Sequence, residues 1–294
     1  MAGAKGGAEG PAGAAGQSAE GGTNAGGSAD EPATSDPPVI EPASCDLNAT
    51  WKSPTPALDL SGAGSEVLLS LTPDELDLAL LRGDALYVAH RARVSLAFEL
   101  GSPISVPSGW TATHGAALSP DGKRMILVSA PDQRQLGELT RASRSAAFSG
   151  PIDVSSFVDL NQDSDFTGRI YASPTLSAGD DQLFFNSALQ QTSTVVVSSR
   201  TASGWSRARR LVTSELDSSN GKRRLPTGVS ADARTLFYFN EESAEEEARW
   251  RNSTLDDTPL YDMRSLGARR GATANFACDR LYSVANGRLV VETE

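Results

Sequence analysis

Cysteine, histidine and aromatic side chains are all scarce in this 294-residue chain: it has two cysteines, two histidines, and aromatics at 6%. His90 and His114 are isolated from each other, and neither H-E-x-x-H nor G-x-S-x-G occurs, so zinc-hydrolase and α/β-hydrolase chemistry have no identifiable parts. No serine has a histidine or an elbow context beside it, which leaves nucleophilic acyl transfer without its machinery. No apolar run approaches the ~20 residues of a membrane span. Lys and Arg together number 26 against 37 Asp and Glu, for a net charge of −11. That balance disfavours nucleic acid and anionic membrane as partners, since both are bound through basic clusters. The short basic stretches at 207–210 and 222–224 read as solvated strand ends.

Large apolar side chains are missing between Met1 and Val39, where Gly, Ala, Ser, Pro and Glu prevail. Such a segment cannot bury enough surface to offset its ordering entropy, so 1–44 is expected to be a disordered tether. No basic n-region followed by an apolar h-region is visible. A Gly/Ala-rich stretch ahead of a domain nevertheless resembles the spacer downstream of a cleaved signal or lipobox, and points to a periplasmic, outer-surface or secreted protein. Residues 45–294 are enough for one large domain.

What the chain does have is a repeat. The turns Thr72-Pro73-Asp74, Ser119-Pro120-Asp121, Ser177-Ala178-Gly179-Asp180, Ser230-Ala231-Asp232 and Ala277-Cys278-Asp279 recur at about 47 to 58 residues, a period of propeller blades. Pro fixes φ at the second turn position, Asp can bond its own backbone two residues on, and Gly accepts positive φ. On this reading Asp74, Asp121, Asp180 and Asp232 are structural. Each turn precedes a continuous apolar run such as MILV (125–128), LFF (183–185) or LFYF (236–239), the mark of strands covered on both faces. Third strands come next at 85–91, 136–141, 194–200, 259–264 and 287–292, the first four ending in Arg. Fourth strands with aromatic starts lie at 98–106, 148–154 and 205–212. The fold class is therefore all-β: a β-propeller of five four-stranded blades, closed by an N-terminal strand from WKSPTPALDL (51–60) that completes the last blade. A sixth blade is the alternative count. The weak point is SLGARRGA (265–272), where the fourth strand of blade 4 is expected and looks degenerate.

The segments ALSPDGKRMILVSA, GVSADARTLFYFNEES and LYVAHR resemble the Ser-Pro-Asp-Gly, WD-like repeats of TolB-like propellers. That resemblance covers roughly 51–294. It implies a non-catalytic propeller that mediates protein interaction, often in the bacterial envelope, and carries no catalytic residue across.

Several stretches invite chemistry. Asp159, Asn161, Asp163 and Asp165 alternate like the opening of a calcium loop, but Ser164 stands where Gly is needed and Ile170 where a bidentate Glu closes the site. An ordinary inter-blade connector is the better reading, and no cofactor is called for. Arg82-Gly83-Asp84 joins two apolar strands and reads as a hairpin tip. The longest apparent excursion, NEESAEEEARWRNSTLDDT (240–258), is read as a hairpin insertion on the face that also collects 155–169 and 213–226. Glu245, Glu246, Arg249, Trp250 and Arg251 there form an aromatic anchor in a charged rim, suited to a protein or glycan partner. The enzymatic alternative is a five-bladed glycoside hydrolase, which needs two carboxylates ~5–9 Å apart in a pocket. The binding reading treats the domain as a monomer with an unidentified protein partner.

Cys45 and Cys278 are expected to form a disulfide, two free thiols being the alternative. The start of a fourth strand lies three strand spacings, about 14 Å, from the end of the first. The six residues from Cys45 to Trp51 reach ~20 Å, enough to cross. The bond would lock the ring and fit an oxidising compartment. Closing so long a loop contributes about 3–5 kcal/mol in the chain-entropy account. Cys45→Ser should therefore lower the unfolding free energy by about 2–5 kcal/mol in denaturant melts, and reduction of the wild type should do the same.

Overall fold

A computed structural model describes residues 45–46, 48–57, 66–166, 168–211, 216–250 and 262–294. The expected tether, 1–44, lies outside the described residues. The domain is a five-bladed β-propeller. Blade 1 is Glu66–Leu71, Asp77–Arg82, Ala85–His90 and Glu99–Leu100. Blade 2 has an innermost strand in two pieces, Trp110–Thr111 and Ala117–Leu118, then Arg124–Ser129, Leu136–Thr140 and Ser149–Asp153. Blade 3 is Ile170–Leu176, Gln182–Leu189 and Thr192–Thr201, with its outer strand reduced to Gly204–Trp205 and Arg209–Arg210. Blade 4 is Arg224–Val229, Thr235–Asn240, Glu245–Trp250 and Asp262–Gly267. Blade 5 is Arg269–Ala274, Arg280–Ala285 and Arg288–Thr293, completed by Thr55–Pro56 from the chain start.

The continuous apolar runs are second strands, and strand alternation deals their side chains to two neighbours in turn. Met125 and Leu127 pack toward blade 1, whereas Ile126 and Val128 pack toward blade 3. Leu78 and Leu80 face blade 5, and Ala79 and Leu81 face blade 2. Five hydrophobic clusters result, each straddling one pair of adjacent blades, so the core is itself a ring. This burial is the main driving force, at ~25 cal/mol per Å² of apolar surface.

The turn that opens each second strand is the same device five times. The first residue (Thr72, Ser119, Ser177, Ser230 or Asn275) accepts, through its side-chain oxygen, the amide five residues on. Its own amide bonds back to the carbonyl at that same distance. The residue three positions on is left-handed in every blade: Glu75, Gly122, Asp180, Ala233 and Cys278. In blades 1, 2 and 4 the first residue's hydroxyl donates to Asp74, Asp121 or Asp232. In blade 3 the aspartate so used is Asp181, not Asp180. The turn has the same length, but its carboxylate stands four residues after Ser177 rather than two, and Asp180 instead pairs with Arg124 and Arg200.

The arginines that end third strands have a matching task. Arg91, Arg141 and Arg200 donate Nε to the carbonyls of Glu75, Gly122 and Asp180, at 2.6, 2.6 and 3.1 Å. Each guanidinium also stacks on the aromatic that starts the outer strand: Phe98, Phe148 and Trp205, at 4.2, 4.7 and 4.5 Å. Arg and aromatic thus tie inner turn to outer strand.

Blade 4 departs from the expected register. The stretch at 240–258 is not one long hairpin loop: Glu245–Trp250 is the third strand, paired with Thr235–Asn240 across a tight turn at 241–244. The expected third strand at 259–264 supplies the fourth instead, Asp262–Gly267, and the rest of 265–272 opens blade 5. The reason is local: an EEEARW strand has low β-propensity and looks solvated until its carboxylates find buried donors.

Ring closure uses both chain ends. Thr55 and Pro56 pair with Val291 and Val290, and the Lys52 amide donates to Thr293 at 2.7 Å. Cys45 and Cys278 form the disulfide, their Cα atoms 5.0 Å apart. Gly271 allows the innermost strands of blades 5 and 1 to meet: its φ is +68°, and a Cβ there would lie 2.2 Å from the Leu68 carbonyl oxygen. Gly271→Val should therefore cost about 3 kcal/mol and lower Tm by roughly 6–12 °C, with secondary structure by circular dichroism unchanged below the transition.

Candidate functional site: the channel mouth

The opening turns lie on one face of the ring. The opposite face carries the second-to-third hairpins and the connectors between blades. All five innermost strands line the central channel. At the turn face it narrows to about 30 Å³ among turn residues such as Pro73, Pro120 and Ala231. At the connector face it opens into a funnel of about 540 Å³. Val67, His114, Ser173, Leu225 and Arg270 mark the contribution of each blade to that mouth.

Arg223 and Glu241 form its most ordered feature. The guanidinium holds the carboxylate in a two-pronged pair, with Nη2 to Oε1 at 2.8 Å, and the Arg223 amide donates to Oε2 at 2.8 Å. Burial alone would raise the Glu241 pKa, but the hydrogen bonds and charge of Arg223 outweigh it and hold the carboxyl below its ordinary value. Burial, reinforced by Arg223, pushes His114 below its ordinary value, so its imidazole is neutral at pH 7. Arg270 is exposed and stacks on Phe239, its guanidinium carbon 5.3 Å from the ring centre. Lys222 is exposed on the same rim. Glu241 is the one carboxylate among the described lining residues. The mouth is thus cationic and partly apolar on an acidic protein.

The residues singled out from sequence fall elsewhere. Glu245, Glu246 and Arg249 sit on the third strand of blade 4 and do not form a loop rim. The Ser265 hydroxyl donates to Glu245, and Arg249 donates Nε to the Tyr238 hydroxyl at 2.8 Å. Trp250 pairs through its backbone with Thr235 and Asp262; its side chain, and Arg251, lie outside the described residues. The third strand of blade 4 therefore ends on the turn face, Trp250 lying opposite Thr235. Asn161 is held by the backbone of Leu136, donating to its carbonyl and accepting its amide. Asp163 caps the amide of Asp165, and Asp159, Asp163 and Asp165 form no cluster able to hold a metal among the described residues. Arg82 is paired with Glu66 beside the left-handed Gly83, so Arg82-Gly83-Asp84 is a hairpin corner. His90 lies 2.7 Å from the buried Asp77, which also takes Arg141. Among the described residues, no helix is long and apolar enough to cross a membrane.

The funnel residues were missed because His114, Lys222 and Arg223 look isolated in the chain. A usable signal existed in their register: His114 precedes its turn residue Ser119 by five positions, as Arg270 precedes Asn275. His114 falls in the break between the two pieces of its innermost strand, Arg270 near the start of its own, and both line the mouth.

The class defined by these features is a five-bladed β-propeller with one open, cationic channel mouth. No protein-family model and no curated protein matches the chain. Among solved structures it is similar to TolB from Acinetobacter baumannii, at 14% identity over 80% of this chain and 55% of that one, with a TM-score of 0.43. It thus spans about half the length of that TolB. It is also similar to the Xanthomonas campestris gluconolactonase XC5397, at 14% identity over 81% and 88%, TM-score 0.45. A luciferin-regenerating enzyme matches at 10% identity over 82% and 80%, TM-score 0.46. These likenesses concern the fold.

Glu246 lies directly behind the channel wall and is fully buried. It accepts the Thr227 hydroxyl and the amides of Gly271 and Ala272, at 3.2 and 3.1 Å, joining blade 4 to blade 5. Burial outweighs these bonds and pushes its pKa up to about 8. The unfolded value is about 4.3, so the folded form binds the extra proton between the two. Its contribution to stability is complete below about pH 4.3, declines as pH rises, and is lost through pH 8. Tm of the wild type should therefore fall between pH 5 and 9 by more than that of Glu246→Gln, as followed by calorimetry.

Proposed function

We propose that this chain is a non-catalytic, monomeric binding propeller of the cell envelope or exterior that engages a protein partner at the channel mouth. The observation that carries the reading is the funnel: about 540 Å³, in the size range of ligand sites, open to solvent, and lined by cations and apolar walls. Glycoside hydrolysis, the enzymatic alternative, calls for an acid and a second carboxylate facing each other across a pocket. Glu241 has no such companion among the described lining residues, and Arg223 already occupies it. The Cys45–Cys278 bond supports an oxidising compartment. The resemblance of the repeats to TolB-like propellers supports the envelope assignment.

Thr113 is exposed at the funnel wall, so Thr113→Trp fills the mouth without touching the core. Capture of a partner from envelope extracts should be lost in this variant while Tm stays unchanged. Undiminished capture would remove the funnel from the proposal. Glycan hydrolysis by the wild type, abolished in Glu241→Gln, would overturn the non-enzymatic reading.

A further inference from the structure

Charge at the channel mouth runs against the rest of the molecule. Four buried or half-buried arginines elsewhere are matched: Arg82 holds Glu66, Arg91 holds Glu75, Arg124 holds Glu138, and Arg141 holds Asp77, whereas the exposed Arg93, Arg134 and Arg288 have no ion pair among the described residues. At the mouth, Glu241 is held in an ion pair by Arg223, and Lys222 adds only a longer-range attraction. Arg270 and Lys222 have no ion-pair partner among the described residues, although the chain carries a net −11. Arg270 is also pre-oriented, because its guanidinium lies over the Phe239 ring while the residue stays exposed. Leu225, Pro226, Pro174 and Val67 line the same cavity and give it apolar walls. A lone small anion would leave those walls wet, and an apolar ligand would leave two cations unmatched. Matching both calls for a chain that carries carboxylates next to apolar side chains.

Resting on the binding reading above, we infer that the mouth receives an acidic peptide segment, whose carboxylates pair with Arg270 and Lys222 and whose apolar side chains lie against Phe239, Leu225 and Pro226. Arg270 supplies directional, charge-assisted hydrogen bonds, and Lys222 a mobile charge at the rim. Both charges are exposed, so the attraction weakens as salt rises. His114, on the opposite wall, is a built-in reporter, because the chain has only one other histidine.

The test uses the full-length chain, ¹⁵N-labelled, with three acetylated hexapeptides that alternate Phe with Glu, Gln or Lys, and with inorganic phosphate. The Glu peptide should move the His114 imidazole signals and leave those of His90 in place. It should bind at least about tenfold more tightly than the Gln peptide, with no measurable binding of the Lys peptide. Arg270→Gln and Lys222→Gln should each weaken it by about tenfold with Tm unchanged, and ~0.5 M NaCl should do the same. Equal binding of the Glu and Gln peptides, an unmoved His114, or indifference to both substitutions would overturn the inference. So would phosphate binding as tightly as the Glu peptide, which would assign the mouth to small anions. If the Glu peptide fails while Thr113→Trp still abolishes partner capture, the ligand chemistry is wrong and the binding reading stands. If the Glu peptide binds but the filled funnel leaves capture intact, the partner reading fails instead.

Discussion

A ring of sheets holds only if its last sheet is fastened to its first, and in this molecule that seam concentrates most of the specific chemistry. Thr55–Pro56 completes blade 5 with residues from the opposite end of the chain. Close by, Glu75 of blade 1 is nearly buried and accepts four side chains. Arg91 Nη2 reaches it at 3.2 Å, the Tyr282 hydroxyl at 2.5 Å, Asn275 Nδ2 at 3.0 Å and Arg280 Nη1 at 2.8 Å. Three of those donors belong to blade 5. Removing one partner of such a buried pair costs about 3–5 kcal/mol, although the pair gives little net stability over an apolar replacement. Its value lies in selecting which blade meets which.

The same division of labour runs around the ring. Apolar burial between blades supplies the driving force and is tolerant of detail. Arg141 with Asp77 joins blade 2 to blade 1, Arg124 with Asp180 joins blade 2 to blade 3, and Glu246 with Gly271 and Ala272 joins blade 4 to blade 5. Of these three contacts only that of Glu246 relies on neutral donors, and burial pushes its carboxyl up, which makes that seam sensitive to pH. It also places a titrating group immediately behind the wall of the proposed binding site.

Five blades leave a narrow channel, and the geometry of its two ends divides the molecule. On the turn face, five copies of one hydrogen-bonded turn close the throat with Pro73, Pro120, Ala178, Ala231 and Phe276. On the connector face no common motif operates, and the lining differs from blade to blade: Val67, His114, Ser173, Leu225 and Arg270. Variation gathers where the scaffold imposes least, as it does in other folds that carry function on loops.

Blade number and the turn device were legible because each rests on residues close in sequence or on a period that repeats, and the disulfide because the chain has only two cysteines, one on each side of the ring closure. Ser119 to Arg124, or Arg141 to Phe148, is a local relation, and local relations leave a pattern in one dimension. Blade 4 shows the limit. Glu245, Glu246 and Glu247 read as a solvated loop because their partners, Thr227, Tyr238, Asn240 and the Gly271 amide, come from other strands and another blade. The channel mouth lies further beyond reach. His114, Arg223, Glu241 and Arg270 are spread over 157 positions, and each taken alone is a polar residue at a strand end. Sequence by itself therefore determined the repeating unit, its turns and how the ring is closed. Only the tertiary structure decided which charges are buried and which meet at the mouth, because desolvation and charge complementarity depend on distances that arise once the five blades have packed.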